Sequence, residues 1–339
     1  MSSMTGADTK AIATPTNWRV GFYRLLAKPD VNALALYFLV QLLCIVGSLI
    51  YPDQFHYLSA ANIGLMLKAI PILAIMAMGV GILMVAGEFD LSVGATYTFS
   101  AIVMATLVQD GMSAFVAAPI ALCIGIAIGV SNGVLTLLFS LPSFIVTLGS
   151  MLFWQGMTLL YHGATSLRFR PSEAFTGLMA GTVGPVEAAF IWMIGLGLVL
   201  WLLLQHHWLG NHFFAVGGNR EAALAIGINP GRTKLIAFGI AGGCAALAGI
   251  IATSRVGSVL PGEGMGLELQ AIAACVIGGV ALSGGTGTVL GIALGSILIY
   301  TIQDILLLLR APGFYLQMFV GGLIVAAAAG NQLSRRFVR

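Results

Sequence analysis

Few side chains in this sequence can do chemistry, and their spacing is informative. Gly87-Glu88-Phe89-Asp90-Leu91-Ser92-Val93-Gly94 sets two carboxylates and a hydroxyl between two long apolar runs. A carboxylate in such surroundings is costly, so it caps a helix, pairs, or lines water. Two readings of Asp90 stand side by side. It can accept a hydrogen bond from a backbone N–H near Ser92 or Val93 and start the next helix, or it can face a polar solute. Both hold if the break lies beside a pathway. Glu88 has no capping role open to it. Thr147 and Gln155 lie two helical turns apart on one face, where they can hydrogen-bond a neighbouring helix or a hydroxylated solute. Glu268 opens an apolar run, where a carboxylate complements the helix dipole. Asp304 lies inside an apolar helix without that reason, which points to a cavity or a buried hydrogen bond. Glu88, Asp90, Ser92, Thr147, Gln155 and Asp304 are therefore the candidates for lining a route through the protein.

Bond-making chemistry has no comparable cluster. Cys44, Cys123, Cys244 and Cys275 stand alone in apolar runs without CxxC spacing, as buried hydrophobes do. His56, His162, His206, His207 and His212 fall at or near segment ends, and none forms HExxH, so no metal site is expected. The SGGTGTVLG run lacks the lysine of a phosphate loop. No chain of buried acids or histidines forms a proton relay, and no Ser/His/Asp arrangement has a strand–turn–helix setting. The expectation is a non-enzyme with no catalytic residue and no cofactor of its own, a conduit that draws energy from a partner.

The elements that position these groups follow from composition. The chain has 339 residues, of which 59% are hydrophobic and 8% charged, against about 25% charged in soluble domains. Residues 111–167 and 269–303 carry no charged side chain. Runs well beyond ~20 apolar residues mean membrane-spanning helices, because a lipid-exposed backbone must satisfy its own hydrogen bonds. Barrel strands would alternate in short segments, and these runs do not. The fold class is an all-α polytopic membrane protein of about ten transmembrane helices, some of them broken. Spans are expected near 31–50, 69–86, 91–109, 113–139, 142–162, 185–205, 235–254, 268–283, 287–309 and 313–330. The Gly87–Asp90, Ser140–Pro142 and Ser283–Gly287 breaks are either surface turns or discontinuities within the membrane. Lys68 is expected to snorkel at the edge of an interfacial segment, 57–68. Gly242, Gly243, Gly249, Gly278, Gly279, Gly291 and Gly295 predict close helix packing.

Charge sets an expected orientation. Lys10, Arg19, Arg24, Lys28, Arg220, Arg232, Lys234, Arg335, Arg336 and Arg339 fall on one side of such a ten-span chain. Arg168, Arg170, Arg255, Arg310 and Lys68 fall on or near the other. The first side is the cytoplasmic one, with both termini on it. The net charge of +3 is too small and scattered for nucleic-acid binding. Residues 1–30 read as a polar tail rather than a cleaved signal. Within it Trp18, Phe22, Leu25 and Leu26 make an amphipathic interfacial helix. The transmembrane domain covers 31–332, with a large loop at 206–234, and 333–339 form a C-terminal tail.

That loop contains VGGNREAALAIGINPGRTK at 216–234, more than a simple reversal needs. Arg220-Glu221-Ala222-Ala223-Leu224-Ala225 favours a short helix. Gly227 stops it, and Pro230 follows. A short helix held outside the membrane implies a docking partner.

GEFDLSVG at 87–94, PSFIVTLGS at 142–150, AVGGNREAALAIGIN at 215–229 and LELQAIAACVIGGVALSGGTGTVLG at 267–291 occur in order. They resemble the permease subunits of bacterial sugar-importing ABC transporters of the ribose, xylose, arabinose and galactose type. These belong to the branched-chain-amino-acid/monosaccharide permease family. The likeness runs from about residue 57 to about 330. The family usually carries Gly-Gly-Ile-Asp-Leu-Ser-Val-Gly in the first block. Glu88 and Phe89 depart from it and leave substrate specificity open. The resemblance implies an inner-membrane permease that pairs with a second permease subunit. Cytosolic ABC ATPase subunits, which hold ATP and Mg, attach below, and a periplasmic sugar-binding protein delivers solute above. It assigns ATPase contact to Asn219, Arg220, Glu221, Ala222, Ala223 and Gly227, a coupling helix over 219–227. An ion-coupled secondary transporter is the alternative, kept open by Glu88, Asp90 and Asp304.

Overall fold

In hydrocarbon a backbone has no water to bond, so apolar runs close their hydrogen bonds within helices. The computed structural model describes residues 29–315, 317–322 and 325, and its elements are almost all helical. They are α1 (Pro29–Ile50), α2 (Ala60–Val85), α3 (Val93–Gln109), α4 (Ala114–Leu138) and α5 (Ser143–His162). After β1 (Leu167–Arg168) come α6 (Glu173–Ala180), β2 (Thr182–Val183), β3 (Val186–Glu187) and α7 (Ala188–Gln205). Then follow α8 (Trp208–Gly218), α9 (Arg220–Ala225), α10 (Pro230–Val256), β4 (Ser258–Val259), α11 (Leu267–Ile277) and α12 (Val289–Leu308). Two small antiparallel ladders, β1 with β4 and β2 with β3, staple the connections.

Among the described residues, seven helices are long and apolar enough to cross a membrane: α1, α2, α4, α5, α7, α10 and α12. Two apolar helices are shorter, α3 with 17 residues and α11 with 11. At 1.5 Å per residue α11 is about 16 Å long, half of a ~30 Å hydrocarbon core. The expected span at 268–283 is therefore a half-length helix followed by irregular chain. Glycine is the cause: Gly279, Gly284 and Gly285 turn at φ of +87°, +78° and +76°, which other residues rarely adopt. The expected boundary at Lys68 also moves, because α2 already begins at Ala60, and Lys68 pairs with Glu187 at 3.5 Å. The last expected span, 313–330, lies largely outside the described residues. The interfacial segment around Trp18–Leu26 and both tails lie wholly outside them.

α2 is buried on every side from Ile70 to Val85, as a helix apolar all round should be. α10 packs on it and on α3 and α4 through small residues. A Cβ on Gly242 would stand 2.2 Å from the Gly125 carbonyl oxygen, and one on Gly249 2.4 Å from that of Tyr97. Such contacts let backbones meet where burial from water gives no drive. α1, α5 and α7 lie outside this centre. Their exposed faces are apolar, among them Phe38, Leu42, Leu152, Phe153, Ile194 and Leu198. These faces suit lipid.

Four connections gather at one end of the bundle. Phe89 N–H donates to Ser143 Oγ at 3.1 Å, joining the α2–α3 and α4–α5 connections. Gly285 N–H donates to the Val85 carbonyl at 2.9 Å, bringing in the α11–α12 connection. The Gly87 position abuts Gly217 of α8, bringing in the α7–α10 region. The breaks at 87–90 and 283–287 thus meet beside the end of α8, just before α9.

Candidate functional site

The α2–α3 break is built by a glycine turn. Gly87, at φ +85°, donates to the Met84 carbonyl at 2.9 Å, and Glu88 N–H donates to that of Leu83 at 3.1 Å. These two bonds satisfy the carbonyls at the helix end and turn the chain inward. Asp90 follows, 1% exposed. Its Oδ1 accepts from Ser92 N–H at 2.7 Å and from the Ser92 hydroxyl at 2.6 Å. Asn132 of α4 donates from Nδ2 to Ser92 Oγ at 2.8 Å and to Asp90 Oδ2 at 3.4 Å. Asp90 thus accepts from Ser92 N–H as expected, but it is not the N-cap: that position is Ser92, and Asp90 closes the turn before α3 while facing a polar cluster.

Two buried oxygens of α4 lack a hydrogen-bond partner beside that cluster, Asn132 Oδ1 and, one helical turn on, Thr136 Oγ1. Both Nδ2 bonds of Asn132 go to Asp90 and Ser92, which fixes the amide so that Oδ1 points away from them. Thr147 approaches the same break: its hydroxyl donates to the Ser143 carbonyl at 2.8 Å, and the Phe89 carbonyl lies 3.5 Å away. Gln155 is half-buried, two turns farther along α5.

Glu88 leaves this cluster and forms an ion pair and hydrogen bond with Lys234 Nζ. Asp304 is separate from all of these. Asn62 Nδ2 donates to its Oδ2 at 2.8 Å, joining α2 to α12 toward the opposite end. The Tyr57 hydroxyl nearby donates to Gln41 Oε1 at 2.6 Å. Burial pushes the Tyr57 phenol up to about 12, so it stays a neutral donor. Glu268 accepts from Gly266 N–H at 3.0 and 3.1 Å at the start of α11, consistent with its expected place at a helix N-terminus.

Of the six pathway candidates, Asp90 and Ser92 are in direct contact, Thr147 borders them, and Glu88, Gln155 and Asp304 are not part of that contact. Sequence reasoning missed Asn132, Asn62 and Lys234 as partners. The two asparagines carried one usable signal, an amide within a strongly apolar helix.

The second feature is α9. Asn219 caps its start, its Oδ1 accepting from the N–H groups of Glu221 and Ala222, both at 3.0 Å. Its end has the same glycine turn as α2. Gly227 N–H donates to Leu224 and Ile228 N–H to Ala223, both at 3.0 Å. Asn229 then caps α10 by accepting from Arg232 N–H at 3.1 Å, with Pro230 in the first turn. A six-residue helix is too short to persist on propensity, and these caps hold it. Ala223 is its inward anchor, while Leu224 is 53% and Ile226 73% exposed.

A family model for the permease component of branched-chain amino acid transport systems matches residues 62–328. The chain belongs to that family. Among curated relatives of this permease, the autoinducer 2 import system permease protein LsrC of Salmonella choleraesuis (strain SC-B67) is 34% identical over 286 residues, covering 84% of this chain and 82% of the relative. The D-allose transport system permease protein AlsC of Escherichia coli (strain K12) is 34% identical over 298 residues, covering 88% and 90%. No solved structure matches the chain. The match to this permease family spans the α2–α3 break, the asparagine cluster and α9 together.

Proposed function

We propose that this permease is the membrane-spanning subunit of an ATP-driven importer that moves a monosaccharide or similar polyhydroxylated solute across the bacterial inner membrane. Family membership supports the class, and the D-allose relative supports a sugar. The observation that carries the mechanism is α9, a helix capped at both ends that presents Leu224 and Ile226 outward. Exposed apolar groups on a rigid element suit a protein partner. Here that partner is a cytosolic ABC ATPase, which brings ATP and Mg; this chain supplies neither. Residues 219–227 are then the coupling helix within the loop 206–234, and the loop end of the bundle faces the cytoplasm with both termini. A periplasmic binding protein and a second permease subunit complete the transporter. The domain plan is 1–30, the membrane domain 31–332, and the tail 333–339.

In this reading ATPase movement displaces α9 as a rigid body. The Asp90–Ser92–Asn132 cluster and the unfilled oxygens of Asn132 and Thr136 offer hydroxyl groups their partners on the solute's route. The carboxylates an ion-coupled transporter would use are engaged with Ser92, Asn62 and Lys234. The test is Glu221→Arg, or removal of 219–227, in the assembled transporter. The protein should reach the membrane at its normal level yet hydrolyse ATP without driving uptake. Normal uptake by either variant would sink the coupling role.

A further inference from the structure

We infer that the Glu88–Lys234 ion pair is the contact through which the α9–α10 arm pulls on the α2–α3 break, making both residues positioning residues for transport. This rests on the coupling role proposed for α9. Glu88 is the first residue past the glycine turn of α2, and two residues farther Asp90 anchors the polar cluster. Lys234 lies in the first turns of α10, directly after the cap that follows α9. The two side chains are 11% and 15% exposed, a partly buried setting that weakens screening by water and salt. Among the described residues, neither has another ion-pair partner.

Besides the packing of α10 along α2 and α3, the break is touched by α8, through contacts of a different kind. A Cβ on Gly217 would stand 1.9 Å from the Val85 carbonyl oxygen and 2.7 Å from Gly285 N. Backbones packed this closely resist compression strongly but separation only weakly, since dispersion between atom pairs is small. An ion pair with a charge-assisted hydrogen bond resists separation. Glycine packing therefore transmits a push from α8, and Glu88–Lys234 transmits the return pull.

The test uses the whole transporter, with its ATPase and binding protein, in proteoliposomes. Uptake of labelled D-ribose, D-xylose and D-allose is read beside ATP hydrolysis. Glu88→Gln and Lys234→Met should each lower sugar moved per ATP hydrolysed by about tenfold, with the complex assembled at its normal level. The exchanged pair Glu88→Lys/Lys234→Glu should recover most of that loss. Single variants with the wild-type ratio, or an exchanged pair no better than the worse single variant, would overturn the inference. A wild-type complex whose solute uptake needs neither the ATPase subunit nor ATP would instead overturn the transport reading, and this inference with it.

Discussion

Asn132 donates to the Ser92 hydroxyl at 2.8 Å, joining α4 to the start of α3 across the break. A serine hydroxyl has one proton to give, and Ser92 gives it to Asp90 at 2.6 Å. The amide thus supports the carboxylate through the serine, and its own Oδ1 is left without a partner. A buried polar atom left so costs about 1–3 kcal/mol, which a passing hydroxyl group can offset.

Asp90→Asn keeps the shape of the side chain but exchanges one acceptor oxygen for an NH2 that opposes that of Asn132. A buried polar group left without its partner costs about 1–3 kcal/mol. Uptake should fall by about ten- to a hundredfold, with the amount of protein in the membrane unchanged. Immunoblots of membranes beside labelled-sugar uptake check this. Loss of the protein itself would assign Asp90 to structure alone.

Asp304 should behave in the opposite way. Asp304→Asn retains an acceptor for Asn62, so membrane level and uptake should both stay near normal. Asp304→Leu removes the acceptor and strands a buried amide, at a cost of about 1–3 kcal/mol. A lower melting temperature in detergent should result. Uptake abolished by Asp304→Asn at full expression would place the carboxylate on the pathway.

Glycine contacts separate tolerant from intolerant positions. Gly217→Ala drives a methyl group into the Val85 backbone, where no side-chain rotation relieves it. The yield of monodisperse protein should drop severalfold, consistent with a cost of about 1–3 kcal/mol or more. Gly195→Ala on α7 meets nothing within 4 Å and should match or exceed the wild-type melting temperature, since alanine favours helix. Equal yields from the two variants would contradict the packing described.

These cases show how much the sequence carries. Helix runs such as Ala114–Leu138 were legible because hydrocarbon enforces helix wherever charge is absent. α9 was legible from Arg220–Ala225, Gly227 and Pro230, since propensity and helix stops are local in the chain. Pairings between distant segments were not. Neither apolar period nor composition says that Asn132 faces Ser92, that Asn62 faces Asp304, or that Lys234 reaches Glu88. The early end of α11 was hidden for another reason: Gly278 packs against Gly291 as a packing glycine should, but it is also the C-cap, and Gly279 turns the chain at φ +87°.

The central claim is that this permease moves solute only when an ATPase drives it. Proteoliposomes holding the chain with and without the ATPase subunit, supplied with loaded binding protein and ATP, measure it directly through labelled-sugar uptake. The account predicts uptake that requires both the ATPase subunit and ATP and that disappears with Glu221→Arg. Uptake by the chain alone under an ion gradient, with no ATPase present, would contradict it.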